Sequence, residues 1–385
     1  MPHNTTYDLA FNVPFVHRVR FTDDVLGPDA DVLLSLLPAD DFHPDTGPCR
    51  VLACVEAAVD ASAGTADRLR ALAAANPSRL ELLGPEVLEG GEALKNEPRR
   101  LLPLLERVLA CGIDRQSVVL AVGGGAFLDA VGFAAALAHR GVRLIRLPTT
   151  TMGQADSGVG VKNAINFFGC KNWLGTFAVP HAVVNDAALL QTLPARDFRA
   201  GFSEAVKVAL LKDARFFQTL ERTASQIARR DPAASAAALR GSAHWHLMHI
   251  TGGGDPFETR QARPLDFGHW SAHRLEAMTH FALRHGEAVS TGVAIDCVYS
   301  REALGLPAET CRRVLDTLAA LGLPLAHPQL ADEDALLEGL EEFRQHLGGR
   351  LTLTMLRDVA EPIDVHTVND RQMRHAIREV RQGSR

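Results

Sequence analysis

The chain has no paired cysteine spacing. Its cysteines, Cys49, Cys54, Cys111, Cys170, Cys297 and Cys311, fall singly in apolar or loop contexts, which excludes C-x-x-C zinc and redox motifs and predicts buried, reduced thiols. It also lacks any run near the roughly 18 apolar residues that span a bilayer. The segment MPHNTTYDLAFNVPF has no basic stretch leading into an apolar one, so a cytoplasmic protein is expected. A basic face is missing too. The formal net charge is -6, with Lys and Arg interspersed among Asp and Glu, so neither nucleic acid nor a membrane surface is an expected partner and small molecules remain. No internal repeat is evident, and the Ala-rich stretch at 233–238 reads as helix.

What is present suits a globular protein of about two domains: 385 residues, 46% hydrophobic and 22% charged. RVLACVEAAV at 50–59 reads as a buried strand followed by a helix at 66–75. SVVLAV from Ser117 is a second apolar run, stopping at Gly123, Gly124 and Gly125 before the helix-compatible AFLDAVGFAAALAHR. A third strand, VRLIRLP, ends at Pro148 before Thr149, Thr150 and Thr151. Buried strands alternating with helices predict a parallel sheet covered on both faces. Beyond Leu193 helical spacing dominates, and RLTLTML near Leu351 is the main β-type run. The expected architecture is α/β plus α: a parallel-sheet domain over 1–193 and a mostly helical domain over 194–385.

Four groups of residues carry chemistry. A strand that ends in Gly123-Gly124-Gly125 and runs into a helix lets backbone N–H groups approach a phosphate at the helix's positive end. The pattern is not G-x-G-x-x-G and taken alone also fits a tight turn. Asp129 one turn on, with Thr149 and Thr150 at the next strand's end, lies at the carboxyl edge where open α/β sheets bind ligands. Glu204 and Lys207 in GFSEAVKV share one helical face. An arbitrary Glu-x-x-Lys is an exposed ion pair, but the apolar neighbours Ala205, Val206, Val208, Ala209 and Leu210 predict burial, which calls for a ligand such as a metal. His269 and His273 in DFGHWSAHRLE also share a face, and His285 opens HGEA. Three imidazoles with Glu204 have the composition of an open zinc site, in which two of them and the carboxylate leave a position for substrate oxygen. His244, His246 and His249 are candidates for a competing cluster, but no carboxylate accompanies them at close spacing, and they read as structural. Finally, Lys162 in VGVKNAIN and Lys171-Asn172 in CKNWLG bring cations and an amide into a Gly-punctuated, loop-like region. With Arg140 in AHRGV, they suit a phosphorylated anion.

The ordered series GGEALK, GGGAFLD, RLPTTTMGQADSGVGVKNAIN, CKNWLG, LPARDFRAGFSEAVK, DFGHWSAH and HGEA, between Glu92 and Asp296, resembles the dehydroquinate synthase-like family of sugar phosphate cyclases. The resemblance implies a Rossmann-like NAD-binding domain over 1–193, a helical metal- and substrate-binding domain over 194–385, a cleft between them and usually a homodimer. It assigns Glu204, His269 and His285 to a Zn²⁺ or Co²⁺ ion, with His273 a catalytic neighbour. Glu92, Lys95, Gly124, Gly125, Asp129, Thr149, Thr150, Asp156 and Lys171 fall on its NAD positions, and Glu56 stands where the family usually has an Asp for the ribose. Arg140, Lys162, Asn172 and Lys207 fall on its substrate and phosphate positions. The implied reaction is a transient oxidation by NAD, phosphate elimination, return of the hydride and ring closure. The dehydroquinate-forming branch carries an Arg and an Asn seven and three residues before the first metal His, where this chain has Ala262 and Asp266. Asp266 resembles the branch that cyclises sedoheptulose 7-phosphate to valiolone-type products, whereas His273 resembles the dehydroquinate branch. Arg263 is a further candidate for the substrate. The expected activity is therefore sedoheptulose 7-phosphate cyclisation, with dehydroquinate synthesis and an iron-type polyol dehydrogenase as alternatives.

Overall fold

The computed structural model describes residues 6–38, 47–168, 170–253, 255–257, 265–346 and 349–383; Ala262 and Arg263 lie outside them. The strands are β1 (Val19–Thr22), β2 (Cys49–Glu56), β3 (Leu80–Leu88), β4 (Val118–Gly123), β5 (Arg143–Pro148), β6 (Lys162–Phe167), β7 (Cys170–Phe177), β8 (Ala182–Asp186), β9 (Leu353–Asp358) and β10 (Glu361–Val365). One six-stranded sheet runs in the order β1-β8-β5-β4-β2-β3, and every pairing in it is parallel. Its central strands read as continuous apolar runs because both faces are covered. Val51, Ala53 and Val55 of β2 pack with Leu33, Leu34 and Leu69 on one side. Leu52 and Cys54 pack with Leu104, Phe127 and Val131 on the other.

The parallel sheet, with a largely helical second half, is the architecture expected. Two details differ. The strand predicted over 50–59 stops at Glu56, where the helix Ala57–Ala63 begins and ends on Gly64 at φ 59. The region predicted as a loop is an antiparallel hairpin of β6 and β7. It is anchored by Arg146, buried on β5, whose guanidinium donates to the carbonyls of Gly158 (3.0 Å), Gly160 (2.8 Å) and Lys162 (3.1 Å). The β-type run near Leu351 is a strand as expected, β9, which pairs with β10. Not all thiols are buried: Cys170 is exposed, and Cys49 and Cys111 are half-buried.

A separate apolar core holds the helical half together. It joins the helices Phe202–Lys212, Ala214–Ala228, His269–Met278, His285–Leu304 and Asp370–Gly383 through Phe202, Phe217, Trp270, Val293 and Ile377.

Candidate functional site

Ten of the eleven residues in the helix Phe202–Lys212 are buried, because its flanks pack on several neighbouring helices at once. Glu204 is therefore only 1% exposed. Lys207 Nζ lies 2.5 Å from its Oε2, so the pair is internal, not an exposed ion pair. Apart from that ammonium, neither carboxylate oxygen of Glu204 has a hydrogen-bond partner among the described residues. His269 Nε2 lies 3.6 Å and His285 Nε2 3.8 Å from Glu204 Oε1. A buried carboxylate short of donors, facing two imidazole nitrogens, is a donor set that a divalent cation satisfies.

Both rings are oriented from behind. His269 Nδ1 lies 3.1 Å from the Phe267 carbonyl and His285 Nδ1 3.0 Å from Glu276 Oε2. A carbonyl and a carboxylate only accept, so each Nδ1 is the donor and each Nε2 points toward Glu204. Burial, then the Lys207 ammonium, lowers the His269 pKa well below its ordinary value. His273, Glu276 and His285 also cluster, but Glu276 already binds Lys171 Nζ at 2.8 Å and His273 is exposed. The His273 ring lies 5.4 Å from that of His269 and stacks on that of His285 at 5.9 Å. The group Glu302, His375 and Glu379 is a surface one whose carboxylates are taken by Arg301.

His269 opens its helix after Gly268, held at φ 77. The Gly268 N–H and the Trp270 indole N–H donate to the two oxygens of Asp296 at 2.8 Å each. A Cβ on Gly292 would stand 2.0 Å from the Gly268 carbonyl oxygen, so the two helices meet backbone to backbone there. Asp296 carries no motif that sequence reasoning could have recognised.

Asp156 sits in a π-helical turn, Gly153–Ser157, just beyond β5. Its Oδ1 lies 2.6 Å from His246 Nδ1. The carboxylate absent from the sequence neighbourhood of His246 comes from the sheet half of the chain. Burial opposes the charge on Asp156, but His246, then Lys207, outweigh it and hold the carboxyl far below its usual range. Lys207 is held charged in turn, because the Glu204 and Asp156 carboxylates outweigh its burial and Asp266 adds to them.

At the carboxyl edge of the sheet, Gly123 ends β4 and Gly125 begins the helix Gly125–Leu137. Glu56 Oε2 accepts from the Gly124 N–H at 2.7 Å, and Oε1 from the Gly91 N–H at 3.2 Å. A Cβ on Gly125 would stand 2.7 Å from Ser157 Oγ, itself buried without a partner among the described residues. Bare backbone and an unsatisfied hydroxyl fit a nucleotide phosphate at this helix start. Lys95 Nζ reaches Asp129 Oδ2 at 2.7 Å and Asn172 Oδ1 at 2.5 Å. Glu92 Oε2 accepts from Asn166 at 3.1 Å. Thr149 is buried, and Thr150 Oγ1 accepts from the Gly153 N–H at 3.0 Å.

Three expected cations remain: Lys171, Lys162 and Arg140. Lys171, assigned to NAD, pairs with Glu276 of the helical half. Lys162 projects from the start of β6 and is exposed. Arg140 is exposed past the far end of the helix Gly125–Leu137, about 20 Å from the glycine turn at 1.5 Å per residue, so within one chain it does not join the site.

The parallel sheet, its glycine turn and a buried carboxylate–imidazole cluster on helices define a class of two-part α/β enzyme. Residues 86–200 match the 3-dehydroquinate synthase N-terminal family and 201–342 its C-terminal family. A 2-epi-5-epi-valiolone synthase of Streptomyces glaucescens is 36% identical over 362 residues, covering 92% of this chain and 88% of the relative. A 3-dehydroquinate synthase of Rhodopseudomonas palustris (strain BisB18) is 35% identical over 303 residues, 75% of this chain and 78% of the relative. The structure of a 2-epi-5-epi-valiolone synthase from Streptomyces hygroscopicus subsp. jinggangensis 5008, with NAD+ and Zn2+ bound, superposes with a TM-score of 0.85 at 28% identity, covering 98% of this chain and all of that one. The chain belongs to the 3-dehydroquinate synthase family of sugar phosphate cyclases.

Proposed function

We propose that the chain cyclises sedoheptulose 7-phosphate to a valiolone-type C7 cyclitol with release of phosphate, as an NAD- and Zn²⁺- or Co²⁺-dependent carbon–oxygen lyase. The observation that carries the substrate is Asp266. Half-buried, it sits three residues before the first imidazole, its backbone carbonyl accepting the His269 N–H at 2.9 Å, and its negative charge bears on Lys207. An anion there repels a substrate carboxylate and accepts from a neutral polyol end. With Ala262 in place of an arginine, each change disfavours the acid by about 1 to 3 kcal/mol, roughly tenfold to several hundredfold. Arg263 is the substrate-binding candidate beside it.

In this reading Glu204, His269 and His285 hold the metal. Glu56, Glu92, Lys95, Gly124, Gly125, Asp129, Thr149, Thr150, Asp156 and Lys171 surround NAD. The two groups together supply reversible oxidation of a ring hydroxyl and Lewis acidity on its oxygen. Lys207, held charged between two carboxylates, stabilises negative charge on the substrate. His273, exposed above both imidazoles, is placed to exchange protons with it. Lys162 and Asn172 take the phosphate. The same proposal divides the chain near residue 193 into a nucleotide half and a metal half, and places a homodimer in the cytoplasm, where Arg140 remains a phosphate candidate.

The test is kcat/KM for sedoheptulose 7-phosphate and for 3-deoxy-arabino-heptulosonate 7-phosphate on one preparation, read by phosphate release. The C7 sugar should be preferred, with product far exceeding NAD and no net NADH. A higher value for the acid would make the chain a 3-dehydroquinate synthase, the reading His273 favours. NADH accumulating with product would indicate a polyol dehydrogenase.

A further inference from the structure

Two clusters compete for His285: one through Nε2 toward Glu204, the other through Nδ1 toward Glu276. Glu276 is 4% exposed and sits one turn beyond His273 on the helix His269–Met278. Its oxygens have separate partners: Oε2 faces His285 Nδ1 at 3.0 Å, and Oε1 accepts from Lys171 Nζ at 2.8 Å. Lys171 belongs to β7, a strand of the hairpin on the sheet half, and its ammonium also stands 5.8 Å from the Phe281 ring. A buried carboxylate that already has a cation and an N–H donor has no need of a metal, whereas Glu204 has one ammonium and two oxygens otherwise without donors.

We propose that Glu276 is a positioning residue: it fixes the His285 ring with Nε2 toward Glu204, and Lys171 holds Glu276 in place, so the cofactor-side hairpin is tied to the metal site through one carboxylate. The inference rests on the metal assignment made above. The physical basis is general: an imidazole that ligates through one nitrogen donates the other N–H to an acceptor, which sets its tautomer and orientation and raises its basicity as a ligand. His269 receives the same service from a backbone carbonyl, which no side-chain substitution removes. Among the described residues, His285 Nδ1 depends on Glu276 alone.

The test uses full-length protein stripped with a chelator and titrated with Zn²⁺ or Co²⁺ against a chromophoric competitor, with the Co²⁺ visible spectrum recorded. Glu276→Gln should weaken metal affinity by about 10- to 100-fold and shift the Co²⁺ bands. Lys171→Met should weaken it less, because it loosens Glu276 without removing it. Glu276→Asp, shorter by one methylene, should restore part of the affinity. Wild-type affinity and an unshifted spectrum in Glu276→Gln would overturn the proposal. Glu204→Gln separates the two levels. If it loses the metal while Glu276→Gln does not, only the positioning role fails. If wild type and Glu204→Gln bind equally weakly, the metal assignment falls, and this proposal with it.

Discussion

Asp156 Oδ1 lies 2.6 Å from His246 Nδ1, joining the turn after the third predicted strand to the middle of the helix Pro232–Gly252. Because His246 is the largest influence keeping Asp156 ionised against its burial, His246→Phe should raise the Asp156 pKa. The carboxylate would then protonate at higher pH than in the wild type, which a carboxyl-carbon NMR titration of Asp156 in the two proteins would read. The same Asp156 titration in His246→Phe, with normal thermal stability, would show that the contact does not tune it.

Glu204→Gln should lose bound metal, measured by elemental analysis, and lose phosphate release with it. It should also destabilise the fold, because Lys207 would be left buried beside a neutral amide. Breaking one side of a buried pair typically costs about 3 to 5 kcal/mol. Adding Lys207→Met should recover much of the thermal midpoint without recovering metal, which separates the two roles of Glu204.

Two glycines should behave oppositely. In Gly292→Ala the new Cβ meets main chain, 2.0 Å from the Gly268 oxygen, so the helices must separate, at a cost of about 2 kcal/mol or more. In Gly125→Ala it meets the Ser157 hydroxyl at 2.7 Å, which a rotamer change can relieve. That variant should fold normally and show weaker NAD binding by calorimetry.

Asp296 is buried among apolar groups, and burial outweighs its two N–H donors, raising its pKa to about 7 from 3.8. The folded state therefore binds the proton more tightly than the unfolded state between those values, and stability falls as pH rises through that window. Relative to Asp296→Asn, wild type should lose about 2 to 3 kcal/mol between pH 5 and 7.5 by linkage. Urea midpoints of both proteins across that range check it; a constant gap would mean Asp296 titrates normally.

Much of this molecule was legible in the sequence where the signal was local. The runs SVVLAV and VRLIRLP are strands because a parallel strand buried on both faces must be apolar throughout. Glu204 with Lys207, and His269 with His273, were readable as helical pairs because a fixed repeat puts both members on one face. β1, β3 and β8 had no such clarity: β3 mixes buried with exposed positions, and the other two are short. The β6–β7 hairpin was hidden by its interrupted, partly exposed pattern.

The sequence by itself determined the family and the strands at the sheet's centre, and brought Glu204, His269 and His285 forward as candidates, since each follows from residue type at short spacing. Only the tertiary structure decided which nitrogen of His285 faces Glu204, that Lys171 serves Glu276, that Asp296 holds the start of the His269 helix and that His246 belongs to Asp156. Those pairings join residues far apart in the chain. They exist because two separate apolar cores bring a sheet edge and a set of helices together, leaving each buried charge to find whatever partner the packing places within reach.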